Sequence, residues 1–182
     1  MLFSTAQLFP AAVAYYFGEM GLIKVFFNTL LATFLCGFLL YITNSSRKED
    51  LRTKDGFIIT VLFWTVLAIF GSFPFIFAEE LEISYIDSLF ESISGLTTTG
   101  ATVLTGLDEL PRSILFYRQL LQWLGGMGII VLAVAVLPLL GIGGMQLYKA
   151  ETPGPLKDAK LTPRIKETAK ALWYVYLTMT IL

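Results

Sequence analysis

Four consecutive residues, Thr97-Thr98-Thr99-Gly100, carry the chemistry this sequence offers. They supply threonine oxygens and backbone carbonyls, which together can replace the hydration shell of a cation. They close the stretch Ser84–Thr102, SYIDSLFESISGLTTTGAT. Its first part places Ile86, Leu89, Phe90, Ile93 and Leu96 at helical spacing. Three β-branched residues followed by glycine then make a poor helix, and glycine readily takes positive φ. The stretch lies between two long apolar runs. A helix that stops at membrane depth and leaves extended backbone is tolerated only where that backbone is buried in protein or lines a watery cavity. The pattern therefore predicts a re-entrant pore loop that coordinates a cation. The plainer alternative is a polar kink in a buried helix.

Two ionisable residues fall at the same depth, Glu91 in the loop helix and Arg118 in the following apolar run. Charges there are expensive and usually paired. Arg118 is expected to pair with Glu91 or Asp87 and so brace the pore helix. The bland alternative is a solvated charge at the outer mouth. The helix also turns its partly negative C-terminal end toward the cation site.

The elements that position these residues follow from composition. The chain has 182 residues, of which 55% are hydrophobic and 15% charged, with net charge −1. Its mean hydropathy is +0.71. Soluble domains carry about 25% charged residues, so this is read as an all-α membrane protein. The apolar runs are continuous rather than alternating, which argues against a barrel. There is no histidine, and the single cysteine, Cys36, lies in an apolar run. Intrachain disulfides, Cys/His zinc sites and histidine-activated nucleophiles are thereby excluded. Gly125-Gly126-Met127-Gly128 sits inside an apolar run, where close helix packing is the expected role, not phosphate binding. No enzyme activity is expected.

Along the chain, Leu2–Phe17 reads as a short or tilted membrane helix, with a signal peptide as the disfavoured alternative. Gly18–Gly21 reads as a turn and Val25–Ile42 as a second membrane segment. Residues 1–45 thus form an N-terminal helix pair and 46–56 a basic loop. Phe57–Ala78 is a clear membrane helix, followed by acidic Glu79, Glu80 and Glu82. Ser113–Tyr148 is too long for one straight crossing, and a break is expected at Pro138–Gly144. That break could also serve as a gating hinge. Residues 149–170 form a second basic loop, and 171–182 begin another apolar helix with Trp173, Tyr174 and Tyr176 as interface anchors.

The charges set the topology. Thr43–Gly56 holds four basic residues and Lys149–Lys170 holds six, which places both loops on the cytoplasmic side. The number of crossings between them must be even. Phe57–Ala78 and the core of Ser113–Tyr148 supply two, so Ser84–Thr102 must enter and leave on the same side. Residues 57–148 then form one helix–re-entrant pore loop–helix repeat, preceded by two N-terminal membrane helices.

FESISGLTTTGAT (Phe90–Thr102), FYRQLLQWLGGMGIIVLAVAVLPLLGIGGMQLY (Phe116–Tyr148) and ETPGPLKD (Glu151–Asp158) resemble one repeat of the Trk/Ktr/HKT superfamily of potassium transporters. The resemblance runs from about Lys54 to the C-terminus. It implies that Thr98 and Thr99, with Thr97, Gly100 and Ala101 beside them, form one quarter of a potassium selectivity filter, Gly100 being its single glycine. It further implies a multi-pass protein of the bacterial inner membrane and uptake of potassium, alone or with sodium. The implied partners are a second copy of the full-length chain, membrane lipid and a cytoplasmic nucleotide-binding regulatory subunit, TrkA, with no nucleic acid. Members carry four such repeats in one chain, whereas this sequence holds one and the start of a second. It is therefore expected to be a fragment. The alternatives are a homotetrameric potassium channel subunit and a non-conducting membrane scaffold.

Overall fold

The computed structural model describes residues 2–44, 53–135 and 161–181. Among these, all regular structure is helical. The chain divides into two compact units, Met1–Leu51 with Ile58–Gly125 and Arg52–Phe57 with Gly126–Leu182. Every residue of the candidate site lies in the first.

The apolar run Leu2–Phe17 is not one helix. It forms α1 (Leu2–Ala6) and α2 (Leu8–Phe17), interrupted at Gln7. Pro10 lacks the N–H that would bond the Ala6 carbonyl, so the helix restarts. α2 ends at Gly18, whose φ of +76° lets its N–H fold back onto the Ala14 and Tyr15 carbonyls. The turn is shorter than Gly18–Gly21, because α3 (Met20–Asn44) already starts at Met20. At 25 residues α3 exceeds the apolar core Val25–Ile42. Thr29 and Thr33 are buried in it and return their hydroxyls to carbonyls a turn earlier. Thr29 also meets the amide of buried Gln7.

α4 (Thr53–Phe77) carries Pro74 near its end. Among the described residues, two segments, Met20–Thr43 and Thr60–Phe77, are long and apolar enough to cross a membrane. The acidic turn that follows α4 holds a single 3-10 turn, Glu79–Leu81. α5 (Tyr85–Leu96) is the predicted short helix and α6 (Arg112–Ala135) the one after the loop.

The first unit is pinned where α3, α4 and α6 meet. The buried Tyr117 ring on α6 packs against Phe26 of α3 and Phe75 of α4, with centroids 5.6 and 5.2 Å apart. Its hydroxyl donates to the Gly71 carbonyl at 2.8 Å. Pro74, inside the same helix, has no N–H to offer the Phe70 carbonyl next to Gly71. At the N-terminus of α6, just before Tyr117, Glu19 caps the helix. Its carboxylate accepts the Arg112 N–H at 2.7 Å and the Ser113 N–H at 3.2 Å, as well as the Ser113 hydroxyl. A carboxylate at a helix N-terminus satisfies orphan donors and complements the dipole. The N-terminal hairpin is thereby tied to the helix that backs the candidate site.

In the second unit, α7 (Leu161–Ile181) starts within the stretch read as polar loop, before Ala171. There Trp173 Nε1 donates to the Met127 sulfur at 2.7 Å. The expected break at Pro138–Gly144 and most of both basic loops lie outside the described residues.

Candidate functional site at the end of the short helix

α5 begins with a reciprocal cap. The Asp87 N–H donates to Ser84 Oγ at 3.2 Å, and the Ser84 N–H donates to Asp87 Oδ2 at 3.3 Å. The Ser84 hydroxyl adds a bond of 2.7 Å to the same carboxylate oxygen. This capping box explains why the helix starts here. It also occupies Asp87, so the ion pair left open in the sequence falls to Glu91. Arg118 Nε donates to Glu91 Oε2 at 2.8 Å, with the two residues 7% and 2% exposed.

The helix ends in a Schellman turn. The Thr98 N–H bonds the Gly95 carbonyl at 2.9 Å and the Thr99 N–H bonds the Ser94 carbonyl at 3.0 Å. The Gly100 N–H reaches the same Ser94 carbonyl at 3.3 Å. The residue that turns left-handed is Thr98, at φ +58°, where glycine is usual. A β-branched residue there is an outlier and costs about 1–2 kcal/mol. Its hydroxyl donates to the Thr97 carbonyl at 2.7 Å. Gly100 follows at φ +73°. Residues 97 to 102 are all exposed. Thr97 and Thr99 join hydroxyls at 2.9 Å. Among the described residues, the carbonyls of Thr98, Thr99 and Gly100 have no protein donor. The Ala101 carbonyl differs, because it accepts the Ser94 hydroxyl at 2.6 Å.

Beyond Ala101 the returning segment, which we call the strand although it pairs with no other among the described residues, runs back along α5. Glu91 Oε1 accepts the Thr102 hydroxyl at 2.5 Å and the Val103 N–H at 2.7 Å. Thr102 in turn accepts the Leu104 N–H at 3.0 Å. Glu91 therefore binds three donors, one of them cationic, which makes its buried charge tolerable.

α5 is inserted with its polar side inward. Ser88, Glu91, Ser92, Ser94, Gly95 and Leu96 are buried, while Ile86, Phe90 and Ile93 are exposed at 76%, 42% and 43%. The small residues permit close approach. The Ser92 hydroxyl bonds the Ala68 carbonyl of α4 at 2.8 Å. Gly95 packs under Leu121, and Gly125 lies directly against the Leu96 backbone.

The structure brings Thr97 through Ala101 together with Glu91 and Arg118, and leaves Asp87 at the far end of α5. Sequence reasoning missed Ser94, Thr102 and Gln122, whose amide atoms lie 3.8 and 3.9 Å from a Cβ built on Gly100. A signal existed for the first: serines share the face of α5 that carries Glu91, opposite the apolar stripe. Thr102 and Gln122 owe their positions to the fold of the returning strand and α6.

The arrangement offers oxygen ligands, an exposed loop and the negative end of a helix, which suits a weakly held cation. The TrkH family model, described as a cation transport protein, matches residues 22–182. The Trk system potassium uptake protein TrkH of Vibrio parahaemolyticus is 60% identical over 99% of this chain. That of Escherichia coli K12 is 55% identical over 100% of it, and TrkG of the same organism is 49% identical over 96%. The chain spans 37% of the length of the two TrkH relatives and 36% of TrkG. The helical architecture, the two apolar helices and these matches agree: the chain belongs to the TrkH family of cation transport proteins.

Proposed function

We propose that this chain carries one pore-loop repeat of an inner-membrane potassium uptake protein, and that the carbonyls of Thr98, Thr99 and Gly100, with Thr97 beside them, form a quarter of its filter. Potassium is the cargo. The observation that carries this reading is that exposed residues Thr98, Thr99 and Gly100, at the negative end of α5, have carbonyls with no donor among the described residues. The names of the relatives, potassium uptake proteins, support the choice of ion. Ala101 has an anchoring role, because its oxygen is engaged by Ser94. One quarter cannot encircle an ion, so the other oxygens come from further repeats of a longer chain. The same reading expects two such transporters to pair and TrkA to dock on the cytoplasmic side.

Gly100→Ser tests the filter. Space is not the obstacle, since a Cβ meets nothing closer than 3.8 Å. The obstacle is φ +73°, which costs a non-glycine residue about 1–2 kcal/mol. The loop relaxes, and the potassium-over-sodium flux ratio of the native gene product in vesicles falls about tenfold. An unchanged ratio removes Gly100 from the filter.

A second measurement addresses the scaffold alternative. A protein that binds potassium in its native state is stabilised by it through linkage. Potassium raises the melting temperature of the purified protein in detergent, and sodium at equal ionic strength raises it less. No shift with potassium would favour a scaffold.

A further inference from the structure

The three free carbonyls are held between two anchors, both on the last turns of α5. On the entry side the Schellman turn fixes Thr98 and Thr99. On the exit side the Ser94 hydroxyl holds the Ala101 carbonyl, and Glu91 holds Thr102 and Val103. Ser94 serves both sides, since its carbonyl accepts from Thr99 and Gly100 while its hydroxyl donates to Ala101. Thr102 is used twice as well, as donor to Glu91 and acceptor from the Leu104 N–H. A segment of three residues fixed at both ends has little freedom to change the spacing of its oxygens. A filter selects by the number and placement of those oxygens.

We infer that the Thr102 and Ser94 hydroxyls form a latch that sets the ion selectivity of this loop: both are positioning residues that touch no ion themselves. The latch rests on the filter reading above. Thr102 hands the charge of Glu91 on to the returning strand, and Arg118 keeps that carboxylate in place. Ser94 turns the Ala101 oxygen toward the helix and away from the free carbonyls. Loss of either hydroxyl frees the exit side while the entry side stays closed. The spacing between Thr98 and Gly100 then varies, and an ion of another size fits as well.

The test uses Thr102→Val, Thr102→Ser, Ser94→Ala and Gly100→Ser in the native gene product, reconstituted in vesicles. The readouts are the potassium, rubidium and sodium flux ratios and the amount of protein in the membrane. Valine keeps the shape of threonine without its hydrogen bonds, and serine keeps the hydroxyl. Thr102→Val lowers the potassium-over-sodium ratio roughly threefold to tenfold, the scale of one or two hydrogen bonds, and Thr102→Ser restores it. Ser94→Ala moves the ratio the same way, and decides the question should Thr102→Val not reach the membrane. Unchanged ratios in Thr102→Val and Ser94→Ala, beside a shifted ratio in Gly100→Ser, overturn the latch and leave the filter standing. Equal shifts in Thr102→Val and Thr102→Ser also overturn it, because the hydroxyl is then not what matters. No shift in any variant, Gly100→Ser included, overturns the filter reading and the latch with it.

Discussion

Gly125→Ala removes the folded protein from the membrane. A Cβ built at this position lies 2.0 Å from the Leu96 carbonyl oxygen, 2.7 Å from its carbon and 3.0 Å from its Cα. All three are backbone atoms of the last residue of α5, so no rotamer change relieves the clash. Either α6 moves away from α5 or the end of α5 is pushed aside. Overpacking of a filled site costs about 1–3 kcal/mol, and more where the backbone must shift. Here the shift falls on the residue immediately before Thr97-Thr98-Thr99-Gly100. It also strains the crossing at Gly95, where a Cβ would already stand 2.9 Å from Leu121 Cβ. The neighbouring Gly126 is the control. A Cβ there meets the Tyr176 hydroxyl at 2.6 Å, the far end of a side chain that can move. Membrane-inserted yield and melting temperature in detergent are the measurements. Gly126→Ala stays near wild type and Gly125→Ala does not. Similar behaviour of the two variants would mean that α6 does not approach α5 as closely as described.

Arg118→Met gives the second large effect. Removing one partner of a buried ion pair leaves an uncompensated charge, at a cost of about 3–5 kcal/mol. Glu91 would keep two donors, the Thr102 hydroxyl and the Val103 N–H, but no cation. Glu91→Gln leaves the mirror defect, a buried Arg118 guanidinium facing a neutral amide oxygen, and is destabilising as well. The double variant Glu91→Gln/Arg118→Met separates charge from anchoring. It recovers much of the melting temperature lost in Arg118→Met, since no buried charge is left over. Potassium uptake recovers less, because the strand has a weaker hold on α5. Wild-type stability and uptake in both single variants would sink the brace.

α5 shows how the sequence and the structure divide the work. Its existence and limits are local. Ser84 and Asp87 stand at the spacing of a capping box, the apolar residues recur at helical period, and three threonines before a glycine end it. The basic loops, together with the two apolar crossings between them, predict a re-entrant course for it without reference to any motif. Which face turns inward is not local. Periodicity marks the stripe of Ile86, Leu89, Phe90, Ile93 and Leu96, of which the structure exposes Ile86, Phe90 and Ile93, while it buries Leu96 and the serines with Glu91. In a chain meant for apolar surroundings an exposed apolar face carries little penalty. A polar face must find donors and acceptors, and α4, α6 and the returning strand supply them.

The same division holds at the loop. That the helix ends at Thr97 to Gly100 is legible by residue type and spacing. The partner of Arg118 was narrowed to two carboxylates, and tertiary structure decided it, because the helix cap claims Asp87 and the strand folds onto Glu91. Ser94, Thr102, Gly125 and Glu19 acquire their roles from contacts across the chain, as when Glu19 caps a helix that starts at Arg112. Sequence by itself determined the helical class, the membrane-length apolar character of the segments around Met20–Thr43 and Thr60–Phe77, and where the short helix gives way to a turn. Tertiary structure decided which side chains hold the carbonyls of that turn in place. Hydropathy and turn propensity are properties of neighbouring residues, whereas a hydrogen bond between distant ones exists only once the chain has packed.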